Sequence, residues 1–364
     1  MLKKITIVAG ARPNFMKVAP IINEIKNKIQ SGFDIDFDLV HTGQHYDKNM
    51  SDNFFKQLNI PNPSINLECS GNSHAKQTAD IMCKFEDYLI KNPTNLVLVV
   101  GDVNSTLACS IVAQKLKIKV AHVEAGIRSH DWSMPEEINR LVTDSISNYF
   151  FTTSREANNN LLKSGIEKNK IFFVGNTMID TLLNNSNKFY KPLIWNKLNL
   201  SKKSYAVLTL HRPDNVDNIF KLEQIIKSIH ENLNGLPIVF PLHPRTRNYL
   251  NKINLDLKSI YYIKPLSYLE FNYLVKNSKV IITDSGGITE EATIFKVPCM
   301  TVRDNTERPE TVNLGTNKLI GTNPKKFAKF FKLLFSNKWG SSSIPELWDG
   351  KSSKRIVSKI LEIL

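Results

Sequence analysis

The sequence lacks several features that would place a chain of this size in a well-known class. No run of about 18 apolar residues occurs, which excludes a transmembrane helix. No repeat with a period of about 20 to 50 residues and no low-complexity tail is present, which argues against a solenoid or a disordered protein. The G-x-G-x-x-G fingerprint is also missing, so we expect no dinucleotide cofactor.

Cysteine is scarce, with four residues in 364. They are Cys69, Cys83, Cys109 and Cys299. Their spacing shows no pairs, so we expect reduced thiols and neither a disulfide framework nor a zinc site. Two histidines stand close together in residues 41–45 (HTGQH), but Gly43 at a strand end leaves no helical face to align their rings. We therefore expect no metal and no other cofactor.

The charge is one-sided, with a formal net charge of +14. The lysines are nevertheless scattered, and the densest group, in residues 325–332, alternates with phenylalanine as on the wet face of an amphipathic helix. We expect an anionic small-molecule substrate, which a positive field attracts, and no nucleic acid. The apolar start, residues 5–8, is too short for a secretion signal and leads straight into a polar turn, so we expect a first strand and a cytoplasmic protein.

Apolar, strand-like runs alternate with helical patterns along most of the chain. The first series covers residues 4–9, 37–42, 96–101, 118–123, 149–153 and 171–174, and the second covers 205–210, 237–242, 259–264, 279–283 and 298–302. This alternation predicts the α/β class with parallel sheets and crossover helices. We predict two Rossmann-like, doubly wound domains facing each other across a cleft, with ligands beyond the carboxyl ends of the strands.

The boundaries follow from composition. Residues 184–204 are rich in Asn, Lys and Ser and are predicted as a linker. The N-terminal domain then covers residues 1–183 and is joined by a C-terminal helix over 352–364, whose apolar positions suit packing on a domain surface. The second domain covers residues 205–351.

One segment carries the strongest signal, residues 280–291 (VIITDSGGITEE). An apolar strand stops at a glycine-rich turn and gives way to a helical pattern, so the positive end of the helix dipole faces the turn and suits a phosphate. Gly286 and Gly287 permit close approach of a ligand to the backbone, and the carboxylate of Glu291 suits ribose hydroxyls. An ordinary strand-to-helix turn with a Ser or Asp N-cap is the alternative.

Residues 10–17 (GARPNFMK) follow the first strand. Pro13 suits the first turn of a helix, and Arg12 and Lys17 place two cations near that helix start, where a diphosphate can be held. Solvated cations at a helix start are the alternative.

Three acids follow strands of the first series. Asp102 and Glu124 come at strand ends, and Glu136 opens a helical pattern shortly afterwards. Glu124 directly follows an apolar parallel strand, where an acid is costly unless it has a partner or a function. For Glu136 a structural interpretation is open, since an acid in a first helical turn with Arg140 at i+4 stabilises a helix by itself.

In the second half, two strands end in paired imidazole and guanidinium groups. One strand leads into His211 and Arg212, and the next leads into His243 and Arg245. We expect both pairs at the same edge of the second sheet.

Together these motifs resemble one family, the non-hydrolysing UDP-N-acetylglucosamine 2-epimerases, which share the glycosyltransferase-B architecture. The matching segments, in the family's order, are 10–13 (GARP), 101–102 (GD), 122–128 (HVEAGIR), 135–140 (PEEINR), 211–212 (HR), 283–287 (TDSGG) with 290–291 (EE), and 303–310 (RDNTERPE). They span residues 10–310, and jointly they are highly specific. Two departures are Thr289, where a glutamine is usual, and Lys296, where a glycine often follows the helix.

The resemblance implies the roles of the site residues. It implies that Asp102, Glu124 and Glu136 perform acid and base steps and that His211 assists the leaving diphosphate. It implies nucleotide contacts from Arg12, Lys17, Phe271, Ser285, Gly286, Gly287, Glu291 and Arg308. It also suggests a homodimer and an allosteric UDP-N-acetylglucosamine near Gln44, His45, Arg212 and His243.

The chemistry that the family performs sets requirements on these residues. The C2 proton of the sugar is not next to a carbonyl, so departure of UDP from C1 must lead or accompany its removal. Because one fixed carboxylate cannot serve both faces of an sp² carbon, at least two acids are needed. A hydrolysing epimerase, an epimerase of a modified UDP sugar and a glycosyltransferase of the same architecture remain alternatives.

Overall fold

The computed structural model describes residues 2–43, 58–253, 255 and 257–364, without the side chain of Arg12. The chain forms two compact units. Unit 1 consists of residues 1–184 together with the C-terminal stretch 346–364, and unit 2 consists of residues 185–345.

Unit 1 is built on a seven-stranded sheet in the order β3-β2-β1-β4-β5-β6-β7, with every pair parallel. Its strands are β1 (Lys3–Ala9), β2 (Ile35–His41), β3 (Ile65–Asn66), β4 (Leu96–Val100), β5 (Lys119–Val123), β6 (Tyr149–Thr152) and β7 (Ile171–Phe173). All five residues of β4 are buried, as expected of a central parallel strand covered on both faces. The strand order reverses between β1 and β4, which is where ligands of such sheets bind.

Helices connect these strands. They are α1 (Arg12–Gln30), α2 (His74–Lys91), α3 (Asn104–Lys115), α4 (Pro135–Ile146), α5 (Arg155–Lys163), a 3-10 turn (Lys168–Lys170), α6 (Thr177–Asn185) and the C-terminal helix (Ser352–Ile363). Local sequence explains their starts. Proline occupies the first turn of α1 and of α4, where its missing N–H costs nothing. The Ser73 side chain caps α2 by accepting the Lys76 N–H.

Unit 2 holds a six-stranded parallel sheet in the order β10-β9-β8-β11-β12-β13. Its strands are β8 (Ala206–Thr209), β9 (Ile238–Pro241), β10 (Ile260–Ile263), β11 (Val280–Thr283), β12 (Cys299–Thr301) and β13 (Asn317–Leu319). The order reverses between β8 and β11. The carboxyl ends of these two strands carry the motifs at residues 211–212 and 284–287.

The helices of unit 2 alternate with its strands. They are a 3-10 turn (Ser186–Lys188), α7 (Leu193–Lys197), α8 (Pro213–Val216), α9 (Ile219–Asn232), α10 (Pro244–Leu250), α11 (Tyr268–Asn277), α12 (Gly286–Ile294), α13 (Pro309–Asn313), a second 3-10 turn (Pro324–Lys326) and α14 (Ala328–Phe335). A capping box opens α11, in which Ser267 and Glu270 satisfy each other's backbone N–H groups. The helix predicted around residues 325–332 is found as α14 after the 3-10 turn, and Phe327, its N-cap residue, and Phe331 enter the core of unit 2.

The predicted α/β class is confirmed, and each of the eleven predicted strands is found. Two strands were missed, β3 and β13. Both are short edge strands whose sequences, Ile65–Asn66 and Asn317–Leu319, lack the apolar run that a doubly covered strand requires.

The segment predicted as a linker is folded in the structure. Residues 185–204 belong to unit 2 and include α7, whose Trp195 is buried and packs edge-on against Tyr205 and Tyr273. Burial of a large aromatic side chain contributes much free energy, so one buried tryptophan can fold a segment whose other residues are mostly polar. The polar composition therefore did not indicate whether this segment is folded.

The C-terminal stretch returns to unit 1 at Glu346, a few residues before the predicted helix. Its helix packs on α1 and is capped by the buried carboxylate of Asp180, which accepts the N–H groups of Ser352 at 3.0 Å and Ser353 at 2.7 Å. A buried helix start requires such acceptors for its free N–H groups.

All four cysteines are free thiols, and all but Cys83 are buried. Among the helices that the structure describes, none has the length and apolar character needed to cross a membrane.

Candidate active site

Glu124 occupies an unusual position at the end of β5. Its φ is +69°, a left-handed conformation that is costly for a residue with a side chain, and its side chain is buried. Lys17 Nζ, from α1, lies 2.6 Å from Glu124 Oε2. A buried acid with a strained backbone and a dedicated cation is an arrangement typical of functional sites.

The neighbouring strand end is shaped to admit this pair. Gly101 has a φ of +71°, and a Cβ at its position would lie 3.0 Å from Lys17 Nζ. A side chain at the turn between β4 and Asp102 would therefore be strained by the backbone and would crowd Lys17, whereas glycine is not.

Asp102 is held through both its backbone and its side chain. Its carboxylate accepts a bond from Arg140 Nη1 at 2.6 Å, and its backbone carbonyl accepts one from Asn139 Nδ2 at 2.9 Å. Arg140 is almost fully buried, whereas a third of the Asp102 side chain is exposed. The arrangement directs a fixed, partly accessible carboxylate away from the core.

Arg140 does not pair with Glu136, the acid that helical spacing suggested. Its guanidinium binds Glu137 through Nε at 2.9 Å and Nη2 at 2.6 Å, and binds Asp102 through Nη1. Glu136, four residues before Arg140, stands partly exposed in the first turn of α4. The expected pairing of Glu136 with Arg140 is therefore not formed, because Arg140 binds Glu137 and Asp102, while Glu136 keeps its place in the first turn of the helix.

Glu137 organises the loop before α4. It accepts the backbone N–H groups of Ser129 at 2.9 Å and His130 at 3.0 Å. Burial alone would raise the pKa of Glu137, but these hydrogen bonds and Arg140 outweigh it and lower the pKa below its usual value.

In unit 2, α12 starts at the glycine pair after β11. A Cβ at Gly287 would meet no atom within 4 Å, so the backbone there is open to a ligand, while one at Gly286 would lie 3.3 Å from Glu307 Oε1. Ser285 is the N-cap residue and makes no side-chain cap hydrogen bond. The first N–H groups of α12 and its dipole thus face the turn at which the sequence predicts an anion socket.

His211 and Asp284 form a pair at the ends of β8 and β11. His211 Nδ1 lies 2.8 Å from Asp284 Oδ1, and the fully buried carboxylate also accepts the backbone N–H groups of His211 and Arg212. Burial raises the pKa of Asp284, but the bonds from His211 and Arg212 outweigh it, so the pKa stays below its usual value. The ionised Asp284 orients the imidazole of His211 through Nδ1, so Nε2 is the ring nitrogen that remains for another partner.

Glu291 lies one turn into α12 and is fully enclosed. Asn272 Nδ2 donates to Glu291 Oε1 at 3.3 Å. Burial, reinforced by the charge of Glu290 and opposed by the Asn272 bond, raises the pKa of Glu291 to about 8. Phe271, on the neighbouring α11, is partly buried and packs against two apolar clusters of unit 2.

Acids and arginines of residues 303–310 surround the same socket. Glu307 binds Arg303 at 2.6 Å and Arg212 at 3.2 Å, and Arg308 Nε lies 2.5 Å from Glu290 Oε1. Burial raises the pKa of Glu307, but the arginines, Arg303 foremost, lower it to about 2.

A family model described as UDP-N-acetylglucosamine 2-epimerase matches residues 27–361. The chain belongs to this family. The predicted family and its enzyme class, isomerase, are confirmed.

The UDP-N-acetylglucosamine 2-epimerase of Methanocaldococcus jannaschii is 45% identical over 367 residues, which cover 97% of this chain and 98% of the relative. The UDP-2,3-diacetamido-2,3-dideoxy-D-glucuronate 2-epimerase of Pseudomonas aeruginosa is 41% identical over 322 residues, which cover 87% of this chain and 88% of the relative. The crystal structure of the M. jannaschii epimerase in complex with UDP-GlcNAc and UDP matches with a TM-score of 0.89 over 99% of each chain at 45% identity.

Of the four residues expected at a second ligand site, the structure describes Arg212 and His243. Gln44 and His45 lie outside the described residues. His243 is exposed, opens α10 as its N-cap, and its ring centre lies 5.6 Å from that of His211. Arg212 donates from Nε to the backbone carbonyl of Asp284 at 3.0 Å and pairs with Glu307, so the structure joins it to the socket itself.

Sequence reasoning missed one acid of this epimerase, Asp144. It is buried, and its carboxylate binds His122 Nδ1 at 2.7 Å, Arg128 at 2.6 Å and the Gly126 N–H at 3.0 Å. Its spacing was the available signal, because Asp144 follows Arg140 by four residues and so shares its face of α4.

The residues that the structure describes contain no group of three or more His, Cys, Asp or Glu side chains arranged to hold a metal ion. The first of the two histidines in residues 41–45, His41, is buried, and its Nδ1 lies 3.1 Å from the Ala9 carbonyl.

Proposed function

We propose that the protein catalyses the reversible C2 epimerisation of UDP-N-acetylglucosamine to UDP-N-acetylmannosamine by elimination and readdition of UDP. The observation that carries this proposal is the buried Glu124, held in a left-handed conformation and neutralised by Lys17 at 2.6 Å. The product is an activated amino sugar, which suits a precursor of surface polysaccharides made in the cytoplasm.

Unit 2 would bind the UDP moiety. The N–H groups at the start of α12, next to Ser285, Gly286 and Gly287, suit a phosphate, and Arg308 adds a cation close by. Glu291 would accept hydrogen bonds from the ribose hydroxyls, with Phe271 as an apolar neighbour for the base.

The acids of unit 1 would act at C2. In the α-linked substrate the C1–O and C2–H bonds are both axial and antiperiplanar, so one carboxylate can remove the C2 proton while UDP leaves C1. Protonation of the resulting glycal from the opposite face requires a second acid, and readdition of UDP completes the inversion. Asp102, Glu124 and Glu136 supply three candidates, of which Arg140 fixes Asp102.

Departure of UDP places charge on the diphosphate oxygen, which must be stabilised. His211 donates through Nδ1 to Asp284, which leaves Nε2 to hydrogen-bond or protonate that oxygen. Arg12 and Lys17 would add cations, although the structure pairs Lys17 with Glu124.

A second candidate substrate is a UDP-2,3-diacetamido-uronate. It is favoured by 41% identity to an epimerase named for that sugar. Both reactions invert the same carbon, so the acid and base steps would be shared and only the contacts to the C3 and C6 substituents would differ.

We further propose that the protein is a homodimer. Helices α2, α3 and α4 line an apolar groove of about 410 Å³ that includes Met82, Leu107 and the exposed Ile138. A second copy that covered this groove would remove apolar surface from water. Light scattering on the parent and on Ile138→Asp would test this, since a monomeric parent contradicts it.

Activation by a second UDP-N-acetylglucosamine is the remaining part of the proposal. It rests on the family resemblance at Gln44, His45, Arg212 and His243. A reaction started from pure UDP-N-acetylmannosamine should show a lag that traces of the other epimer relieve. Progress that is linear from time zero would count against a working second site.

The decisive test of the reaction is isotopic. In D₂O, both UDP-N-acetylmannosamine and the recovered starting epimer should gain deuterium at C2, because the acid that returns a proton exchanges with solvent. Mass spectrometry of the separated nucleotide sugars gives the answer. Inversion without deuterium would indicate internal hydride return, free N-acetylmannosamine would indicate hydrolysis, and no inversion of either candidate substrate would refute the proposal.

A further inference from the structure

His122 is a fully buried histidine whose two ring nitrogens both face acceptors. Nδ1 lies 2.7 Å from Asp144 Oδ1, and Nε2 lies 2.8 Å from the backbone carbonyl of Gly101. A carbonyl cannot donate, so Nε2 must carry a hydrogen. Neutral imidazole has only one N–H, which would leave the Nδ1 lone pair facing the Asp144 carboxylate.

A protonated Asp144 could donate to the Nδ1 lone pair, but the surroundings of Asp144 favour its ionised form. Its Oδ2 accepts the Gly126 N–H at 3.0 Å and lies 2.6 Å from Arg128 Nη1, both of which favour the ionised form. The hydrogen-bond geometry is therefore satisfied by one arrangement, an imidazolium that donates from both nitrogens to an ionised Asp144 and to Gly101.

The bond from His122 to Gly101 and the bond from Gly126 to Asp144 both lie next to candidate acids in the chain. Gly101 directly precedes Asp102, and Gly126 stands two residues after Glu124. The strands are in register here, with Val99 of β4 opposite His122 of β5. Asp144 belongs to α4, which also carries Arg140, the partner of the Asp102 carboxylate.

We propose that His122 is a positioning residue of the epimerase site, held as an imidazolium between Asp144 and Gly101 so that the peptide leading into Asp102 keeps one orientation. This inference rests on the proposed function. The imidazolium joins the ends of β4 and β5 to α4, so the three elements that carry Asp102, Glu124 and Glu136 are tied to one buried ionic pair. A small misplacement of reacting groups costs large factors in rate, which gives such a tie its value.

Two variants separate the two bonds. The amide nitrogen of asparagine stands near the place of Nδ1, and that of glutamine near the place of Nε2, so His122→Asn retains the bond to Asp144 and His122→Gln retains the bond to Gly101. We expect kcat to fall about 10- to 100-fold in His122→Asn with KM little changed, and to fall less, by about three- to ten-fold, in His122→Gln, which keeps the bond to Gly101 but loses the ionic tie to Asp144.

Three controls accompany these variants. Ile81→Ala, in the apolar core of unit 1, should lower the melting temperature without lowering kcat. UDP affinity, measured by calorimetry, should change little between the parent and both His122 variants, because the proposed contacts from the start of α12, Glu291 and Arg308 lie in unit 2. Nitrogen-15 NMR of the parent, with the His122 signal assigned by its loss in the variants, should show hydrogens on both ring nitrogens at pH 7.

The outcomes are distinct. A neutral His122 ring in the parent, or equal kcat in the two His122 variants, would overturn the assignment and leave His122 as core packing. If the parent fails to invert either sugar in the isotopic assay, the proposed function fails and the positioning role fails with it. The NMR result is independent of turnover and still decides the charge of the ring.

Discussion

Lys17 Nζ lies 2.6 Å from Glu124 Oε2 and thereby links the helix after β1 to the acid that ends β5. Both side chains are largely buried, with 12% and 2% of their surfaces exposed. Removing one partner of such a pair leaves an uncompensated buried charge, whereas removing both does not. This difference separates the contribution of Glu124 to stability from its contribution to chemistry.

The first prediction uses that difference. Glu124→Gln should lower kcat by roughly 10²- to 10⁴-fold and should also lower the melting temperature, since Lys17 loses its partner. The double variant Lys17→Met, Glu124→Gln should regain much of the melting temperature but none of the activity. The exposed Lys163→Ala serves as a neutral control. Recovery of turnover in the double variant would mean that Glu124 has no acid or base role.

The second prediction follows from Glu291, whose pKa of about 8 leaves it mostly protonated at pH 7. If the carboxylate accepts hydrogen bonds from ribose, UDP should bind more tightly as the pH rises from about 6.5 to about 9. Glu291→Gln should weaken UDP binding and abolish this trend, as calorimetry at several pH values would show.

The same shift affects stability in the opposite direction. Because the folded pKa lies above the usual value of 4.5, the folded state retains a proton that the unfolded state has lost, so the free energy of unfolding contributed by Glu291 falls as the pH rises from about 4.5 to about 8. Glu291→Gln should remove that slope from urea titrations. An unchanged slope would place the carboxyl group in a more polar environment.

The third prediction concerns the cap of the C-terminal helix. Asp180→Ala should cost about 1–3 kcal/mol of unfolding free energy, because the N–H groups of Ser352 and Ser353 lose their acceptor. Asp180→Asn retains one acceptor oxygen and should cost less. Urea denaturation measures both variants, and equal losses would show that the cap hydrogen bonds contribute little.

The fourth prediction concerns Lys296, which stands where relatives often have a glycine. Lys296 follows α12 with a φ of +53°, and Lys117 follows α3 with a φ of +61°, both left-handed positions that glycine adopts without strain. Lys296→Gly and Lys117→Gly should each stabilise the protein by about 0.5–1 kcal/mol. Lys332→Gly, at an exposed position in the middle of α14, is the matched control and should destabilise by a similar amount. Destabilisation by the first two would contradict the strain argument.

The fifth prediction is that catalysis needs no added metal or cofactor. Turnover should survive EDTA followed by dialysis, because the chemistry proposed here uses only side chains and the departing UDP. Activity that disappears on this treatment and returns with a divalent ion or a dinucleotide would refute it.

Local pattern was enough to predict most of the architecture. A five-residue apolar strand such as Leu96–Val100 and a polar, glycine-rich turn such as residues 284–287 depend on neighbours within a few positions. Eleven strands and the motifs at their ends could therefore be inferred from the sequence, and the resemblance of those motifs indicated the family. The short edge strands β3 and β13 could not, since an edge strand needs no apolar run.

Partner choice between distant residues could not be inferred in this way. Arg140 lies within reach of Glu136 by helical spacing, yet it binds Glu137 and Asp102, the latter 38 residues away along the chain. Lys17 reaches Glu124 across 107 residues, and His122 joins the end of β4 at Gly101 to Asp144 of α4. Strand order and helix rotation set which buried charges meet, and the cost of leaving any of them unpaired then selects a single arrangement, so these pairings exist only once the whole sheet has assembled.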